Sequence, residues 1–205
     1  MSASARRPAV FLDRDGTLTA EGEWVTKSAE LELLPFAAEA IAKLSRAGFV
    51  VVLATNQSAV ARGLIREEEL AEIHAHLERE LARGGARLDG VYTCPHHPTE
   101  GSAPYRRDCE CRKPKPGMLL AAARDLGLDL ARSWVVGDAE RDLAAGAAVG
   151  ANGVLVATGK GEAEHQRLRR EGRPPELFVR DVLAAADAIV SRREGADLRV
   201  ERPAG

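Results

Sequence analysis

Five short apolar runs, each stopped by turn residues and each separated from the next by a stretch with helix-like spacing, set the fold class of this 205-residue chain. The runs are Ala9 to Leu12, Phe49 to Ala54, Gly90 to Cys94, Trp134 to Gly137 and Gly153 to Ala157. Strands with no polar alternation are buried on both faces, as in parallel sheets covered by helices. Phe36 to Ala47, Arg66 to Arg83 and Gly117 to Leu126 carry apolar positions at helical spacing, and Gly48, Gly84 and Gly127 stand where C-terminal caps belong. Ala139 to Val149 and Val182 to Arg193 add two further helices. The alternation predicts a three-layer α/β fold around a parallel sheet. Its ligand crevice lies at the carboxyl ends of the strands, where Asp13, Thr55 and Asp138 fall.

With 45% hydrophobic residues the chain supports one core, so residues 1–205 are expected to form a single domain, with a loose charged tail over 194–205. Lys and Arg (29) nearly balance Asp and Glu (31), and aromatics are only 4%. That leaves no electrostatic footprint for nucleic acid or a membrane surface and too few rings for base stacking. No apolar stretch reaches membrane-spanning length and the opening residues lack an apolar leader core, so the expectation is a cytoplasmic monomer acting on a small molecule.

The first apolar run ends in Asp13-Arg14-Asp15-Gly16-Thr17. In extended backbone residues i and i+2 point the same way, so Asp13 and Asp15 share one site before Gly16 turns the chain. Two carboxylates so close repel, and a divalent cation relieves the repulsion. Asp13 is then free to attack phosphorus and Asp15 to handle the leaving-group proton. Taken alone, the pair reads equally as a solvated acidic turn. Three later segments weigh against that. Thr55-Asn56-Gln57-Ser58 offers a hydroxyl, amides and backbone N–H groups at an expected strand-to-helix turn, suited to phosphate oxygens. Arg112-Lys113-Pro114-Lys115-Pro116 brings fixed positive charge on a segment stiffened by proline. Gly137-Asp138 repeats the pattern of strand, turn and acid. Asp13, the backbone carbonyl of Asp15 and Asp138 suffice for Mg²⁺. Asp142, one helical turn further on, either supports that site or is a helix N-terminal acid favoured by the macrodipole.

All three cysteines lie close together, as Cys94-Pro95-His96-His97 and Cys109-Glu110-Cys111. Cys94, His96, Cys109 and Cys111 make a tetrahedral zinc set with no open position, a structural ion clamping a loop over 93–113. His96 is favoured over His97 by its spacing from Cys94. The loop runs into Arg112 and Lys113, so the ion is expected to order those cations as well.

In this order the four segments resemble the motifs of the haloacid dehalogenase superfamily. With Cys-Pro-His-His-Pro and Cys-x-Cys-Arg-Lys-Pro-x-Pro-Gly-Met added, the chain is similar to the D-glycero-D-manno-heptose-1,7-bisphosphate 7-phosphatase family. Histidinol-phosphate phosphatases are its nearest relatives and an alternative activity; a zinc-stabilised interaction module without catalysis is the competing class. The resemblance implies a Rossmann-like domain with a minimal cap and a zinc-loop insertion, Mg²⁺ as catalytic ion, and a phosphorylated sugar as substrate. It makes Asp13 the nucleophile, Asp15 the general acid/base, and Thr55 and Lys113 the phosphoryl-stabilising groups. Asn56, Gln57 and Ser58 become substrate contacts, and Arg112 holds a second phosphate. Glu21, Gly22, Glu23 and Trp24 form the segment facing the sugar, with Trp24 either on the sugar or a packing indole. Ala59 and Ala139 depart from the family pattern, where a glycine and a polar residue are usual.

Overall fold

The computed structural model describes residues 6–22 and 24–200. Six parallel strands form one sheet in the order β3-β2-β1-β4-β5-β6: β1 Ala9–Leu12, β2 Val50–Asn56, β3 Gly90–Cys94, β4 Trp134–Gly137, β5 Asn152–Val156 and β6 Phe178–Val179. The helices are α1 Ala37–Arg46, α2 Glu67–Arg83, α3 Gly117–Leu126, α4 Glu140–Ala147, α5 Gly161–Arg170 and α6 Val182–Val200. The alternation of the strands sorts two cores. Val10, Leu12, Val51, Leu53, Val136 and Val154 face α1, α2 and α6, against Ile41, Leu44, Ile73, Leu77 and Ile189. Ala9, Phe11, Val50, Val52 and Val135 face the other way, against Met118, Leu119 and Ala122 of α3. This is the expected three-layer arrangement. Among the described residues no helix is long and apolar enough to cross a membrane.

Strand order reverses between β1 and β4, which opens a crevice at their carboxyl ends. Leu12 pairs with Val136, so Asp13 and Asp138 emerge side by side, and Asp13 N–H donates to the Val136 carbonyl at 3.0 Å.

Four local expectations are corrected. The segment Thr55 to Ser58 is not a helix start: β2 runs on through Asn56, and α2 begins only at Glu67, after tight turns over residues 58–64. The polar helix α5 was absent from the pattern because Gly161–Arg170 buries little besides Leu168. The edge strand β6 has two residues, too short for any period. Finally, α6 continues seven residues beyond Arg193 through Val200, into the expected tail, whose residues 201–205 lie outside the described ones.

Candidate active site

A cavity of ≈ 470 Å³ opens at the switch point, lined by Asp13, Arg14, Asp15, Glu21, Gly22, Trp24, Val25, Asn56, Gln57, Ser58, Arg112, Arg141 and Lys160. Asp13, Thr55, Lys113, Asp138 and Asp142 are all almost fully buried in and beneath its floor. Glu23 lies outside the described residues.

Lys113 organises the floor. Its ammonium forms ion pairs with Asp13 Oδ1 at 3.0 Å and Asp142 Oδ1 at 2.5 Å and donates a hydrogen bond to the Ala54 carbonyl at 2.7 Å. The lysine is aimed by Asn56, whose side-chain amide accepts from Lys113 N–H at 3.1 Å and donates to its carbonyl at 3.0 Å. Asn56, expected as a substrate contact, therefore spends both amide groups on the lysine's backbone. Burial opposes the charge on Asp13, but Lys113 and Arg141 outweigh it and hold its carboxyl below the usual range. Asp142 is the helix N-terminal acid, its Oδ2 accepting the Ala139 N–H at 3.2 Å at the start of α4, and its Oδ1 also pairs with Lys113.

Asp138 is different. One oxygen accepts Lys160 N–H at 2.9 Å, and the other, Oδ1, is buried with no hydrogen-bond partner. Burial pushes its pKa up to about 7. Asp13, Asp138 and Asp142 bring carboxylate oxygens within 4.8 Å of one another. A buried oxygen without a donor, beside two further carboxylates, fits a hard divalent cation.

Asp15 shares the cavity but not this cluster. Its carboxylate accepts Arg14 Nε at 2.9 Å and Nη2 at 3.1 Å, Gln57 Nε2 at 2.7 Å and Thr19 Oγ1 at 3.5 Å. Gln57 also donates to Thr55 Oγ1 at 3.0 Å, so it ties the end of β2 to the second aspartate. Trp24 is not a packing indole: it lines the cavity with 39% of its surface exposed, and the Arg62 guanidinium sits 5.0 Å from its ring centre.

The sulfur and imidazole cluster closes as expected. Ligand atoms of Cys94, His96, Cys109 and Cys111 all lie within 4.8 Å of one another. Cys94 Sγ is 3.6 Å from Cys109 Sγ, Cys111 Sγ is 3.3 Å from Cys109 Sγ, and His96 Nδ1 is 3.3 Å from Cys111 Sγ. Four soft or borderline donors at such separations surround one point, as a tetrahedral ion requires. The neighbouring Cys111 thiol draws the Cys94 thiol down, while burial pushes the Cys109 thiol up. From this loop Arg112 donates to the His96 carbonyl at 2.9 Å, which links the cluster to a cavity-lining cation. His97 turns away, its Nδ1 accepting the N–H groups of Thr99 and Glu100.

Residues 110–185 match the HAD-hydrolase-like family model. The D-glycero-beta-D-manno-heptose-1,7-bisphosphate 7-phosphatase of Photorhabdus laumondii is 43% identical over 155 residues, 75% of this chain and 82% of the relative. That of Rhodopseudomonas palustris is 41% identical over 184 residues, 89% of this chain and 94% of the relative. The chain belongs to this heptose-bisphosphate phosphatase family. The crystal structure of D,D-heptose 1,7-bisphosphate phosphatase from B. bronchiseptica, complexed with magnesium and phosphate, superposes with a TM-score of 0.78 at 39% identity, covering 90% of this chain and 99% of that one.

In this member of the heptose-bisphosphate phosphatase family, two parts of the site escaped the sequence. Thr158-Gly159-Lys160-Gly161, after β5, closes over Asp138: Thr158 Oγ1 donates to the Gly16 carbonyl at 2.6 Å, and a Cβ on Gly159 would fall 2.3 Å from Asp138 Oδ2. A polar Gly-rich turn following an apolar run was the available signal. Arg14 was passed over because strand alternation points it away from its aspartate neighbours. It is instead the largest side chain buried to 1% exposure.

Proposed function

We propose that this chain hydrolyses the 7-phosphate of a D-glycero-D-manno-heptose 1,7-bisphosphate, releasing the sugar with its 1-phosphate. The observation that carries the proposal is the Asp13 carboxylate, kept ionised by Lys113 at the floor of a cavity wide enough for a sugar. Asp13 attacks phosphorus and forms an aspartyl phosphate, while Asp15 gives its proton to the departing C7 oxygen. Asp15 then takes a proton from the water that hydrolyses the acyl phosphate, so the enzyme returns unchanged. Lys113 and the Thr55 hydroxyl meet the charge on the transferring group. Mg²⁺, held by Asp13, the Asp15 carbonyl and Asp138, supplies the charge neutralisation that lets two anions approach.

Arg112 takes the 1-phosphate as a bidentate guanidinium clamp, with Gln57, Ser58 and the residues from Glu21 to Trp24 along the sugar. The ion at Cys94, His96, Cys109 and Cys111 is zinc, in a structural role. Thiols kept as metal ligands suit a reducing compartment, the cytoplasm.

The test is Asp13→Asn: the variant folds and loses nearly all turnover, and activity like the wild type refutes the nucleophile; no turnover in the wild type itself would favour the zinc-stabilised interaction module. Substrate choice is checked by comparing kcat/KM for both anomers of heptose 1,7-bisphosphate, fructose 1,6-bisphosphate and histidinol phosphate. A preference for histidinol phosphate overturns the substrate and leaves the chemistry standing.

A further inference from the structure

Arg14 lies between the two aspartates in sequence but takes no part in the chemistry so far. Its guanidinium is 1% exposed, and a charge so buried requires fixed partners. It has two. On one side its Nε and Nη2 reach both oxygens of Asp15, at 2.9 and 3.1 Å. On the other its Nη1 lies 3.5 Å from Nε2 of His74, a buried residue of α2. Burial and the neighbouring guanidinium pull the His74 pKa down to about 4, so the ring is neutral and accepts from Arg14. The arrangement is a relay of fixed geometry from α2, through an arginine, to an aspartate on the cavity wall. Asp15, with its side chain 32% exposed, is the most open member; Arg14 also lines the cavity, and His74 does not.

We propose that Arg14 is a positioning residue for Asp15: anchored on His74, it clamps both carboxylate oxygens and so fixes where the second aspartate meets the leaving oxygen. This rests on the acid/base role of Asp15 stated above. Two N–H donors on the two oxygens of one carboxylate fix its plane as well as its distance, so the clamp sets the direction from which Asp15 meets the leaving oxygen. Gln57 and Thr19 add neutral donors to the same carboxylate, while Asp13, Glu21, Arg112, Arg141 and Lys160 are the other charged groups lining the cavity. Arg14 alone among the cations forms an ion pair with Asp15 in the described structure.

The experiment compares Arg14→Met, Arg14→Lys, Asp15→Asn and the double variant Arg14→Met/Asp15→Asn in the full chain. Readouts are kcat and KM on the sugar bisphosphate and first-turnover release from p-nitrophenyl phosphate, whose leaving group needs no proton. Arg14→Met is expected to lower kcat on the sugar substrate by about 100-fold with little change in KM, while sparing the p-nitrophenolate burst. In the Asp15→Asn background the same substitution costs less than about twofold, the signature of two residues acting as a unit. Equal losses in both backgrounds, or equal losses on both leaving groups, would make Arg14 merely structural and overturn the inference. If Arg14→Met does not fold, Arg14→Lys and His74→Leu carry the test, and wild-type kinetics in both reject it. Should Asp15→Asn lose the burst and the sugar reaction alike, the acid role of Asp15 fails; normal Asp15→Asn behaviour with unaffected Arg14 variants removes only the clamp.

Discussion

The Lys113 ammonium lies closer to Asp142, at 2.5 Å, than to Asp13, at 3.0 Å. The lysine that faces the reacting carboxylate is thus held in place by an acid outside the cavity wall. Asp142 is itself fixed by the Ala139 N–H and packed against Gly137, where a Cβ would come within 2.4 Å of its Oδ2.

Replacing Asp142 by Asn keeps the shape and removes the charge that offsets Lys113. Because Asp13 still pairs with the lysine, the expected stability loss is about 3 kcal/mol, at the low end for a broken buried pair. The ammonium is then drawn wholly to Asp13 and blunts it as a nucleophile, so kcat falls by about 10- to 100-fold. Urea unfolding and steady-state kinetics measure the two effects; unchanged values in both would show that Asp13 alone suffices to hold the lysine.

Gly159→Ala is expected to abolish most activity. Its φ of +60° costs any L-residue about 1–2 kcal/mol, and the new Cβ would collide with Asp138 Oδ2 at 2.3 Å and with Gly16 Cα at 2.6 Å. Gly172→Ala is the control, since its φ of +71° carries the same strain with nothing within 4 Å of the new atom. The control should lose stability and keep its kcat. Equal kcat in the two variants would disprove steric control of Asp138.

The cation affinity of the carboxylate cluster should depend on pH around the Asp138 titration. Burial raises the pKa of folded Asp138 to about 7, against about 3.9 in the unfolded chain. Between those values the folded state binds the extra proton, so this group's contribution makes the cation-free protein less stable as pH rises from about 4 to 7. Mg²⁺ competes with that proton. Below pH 7 its apparent affinity should weaken, approaching about tenfold per pH unit. Isothermal titration at pH 6 and pH 8 measures this, and equal affinities would contradict the placement of Asp138 among the ligands.

Elemental analysis should find about one zinc per chain, falling to almost none in Cys109→Ser. The Tm falls with it. Because Arg112 is held by the His96 carbonyl, loss of the ion should raise KM for a bisphosphate far more than for a monophosphate and leave kcat less affected. Normal stability in metal-free protein would refute the structural role.

The carboxyl-end constellation was legible because each piece sits at the end of an apolar run: Asp13 after β1, Thr55 within the last residues of β2, and Asp138 after β4. Cys94, His96, Cys109 and Cys111 were legible from ligand spacing alone. What sequence could not carry was partnership across the fold. Nothing in the residues around Asn56 says that its amide is spent on Lys113, and Asp142 looks the same whether it caps a helix or holds an ammonium. The Thr158 to Gly161 turn follows a strand whose successor, α5, buries too little to have a period, so its approach to Asp138 emerged only with the sheet assembled.

Gly16 and Gly159 both press against one oxygen of Asp138, each leaving no room for a methyl group. For anyone seeking to retarget such an enzyme, this divides the cavity into ground that tolerates change and ground that does not. The floor admits no side-chain diversity, whatever the desired substrate. The rim at Glu21, Gly22 and Trp24, with Trp24 exposed and open space where a Cβ on Gly22 would sit, is where a library can be varied without dismantling the chemistry beneath it.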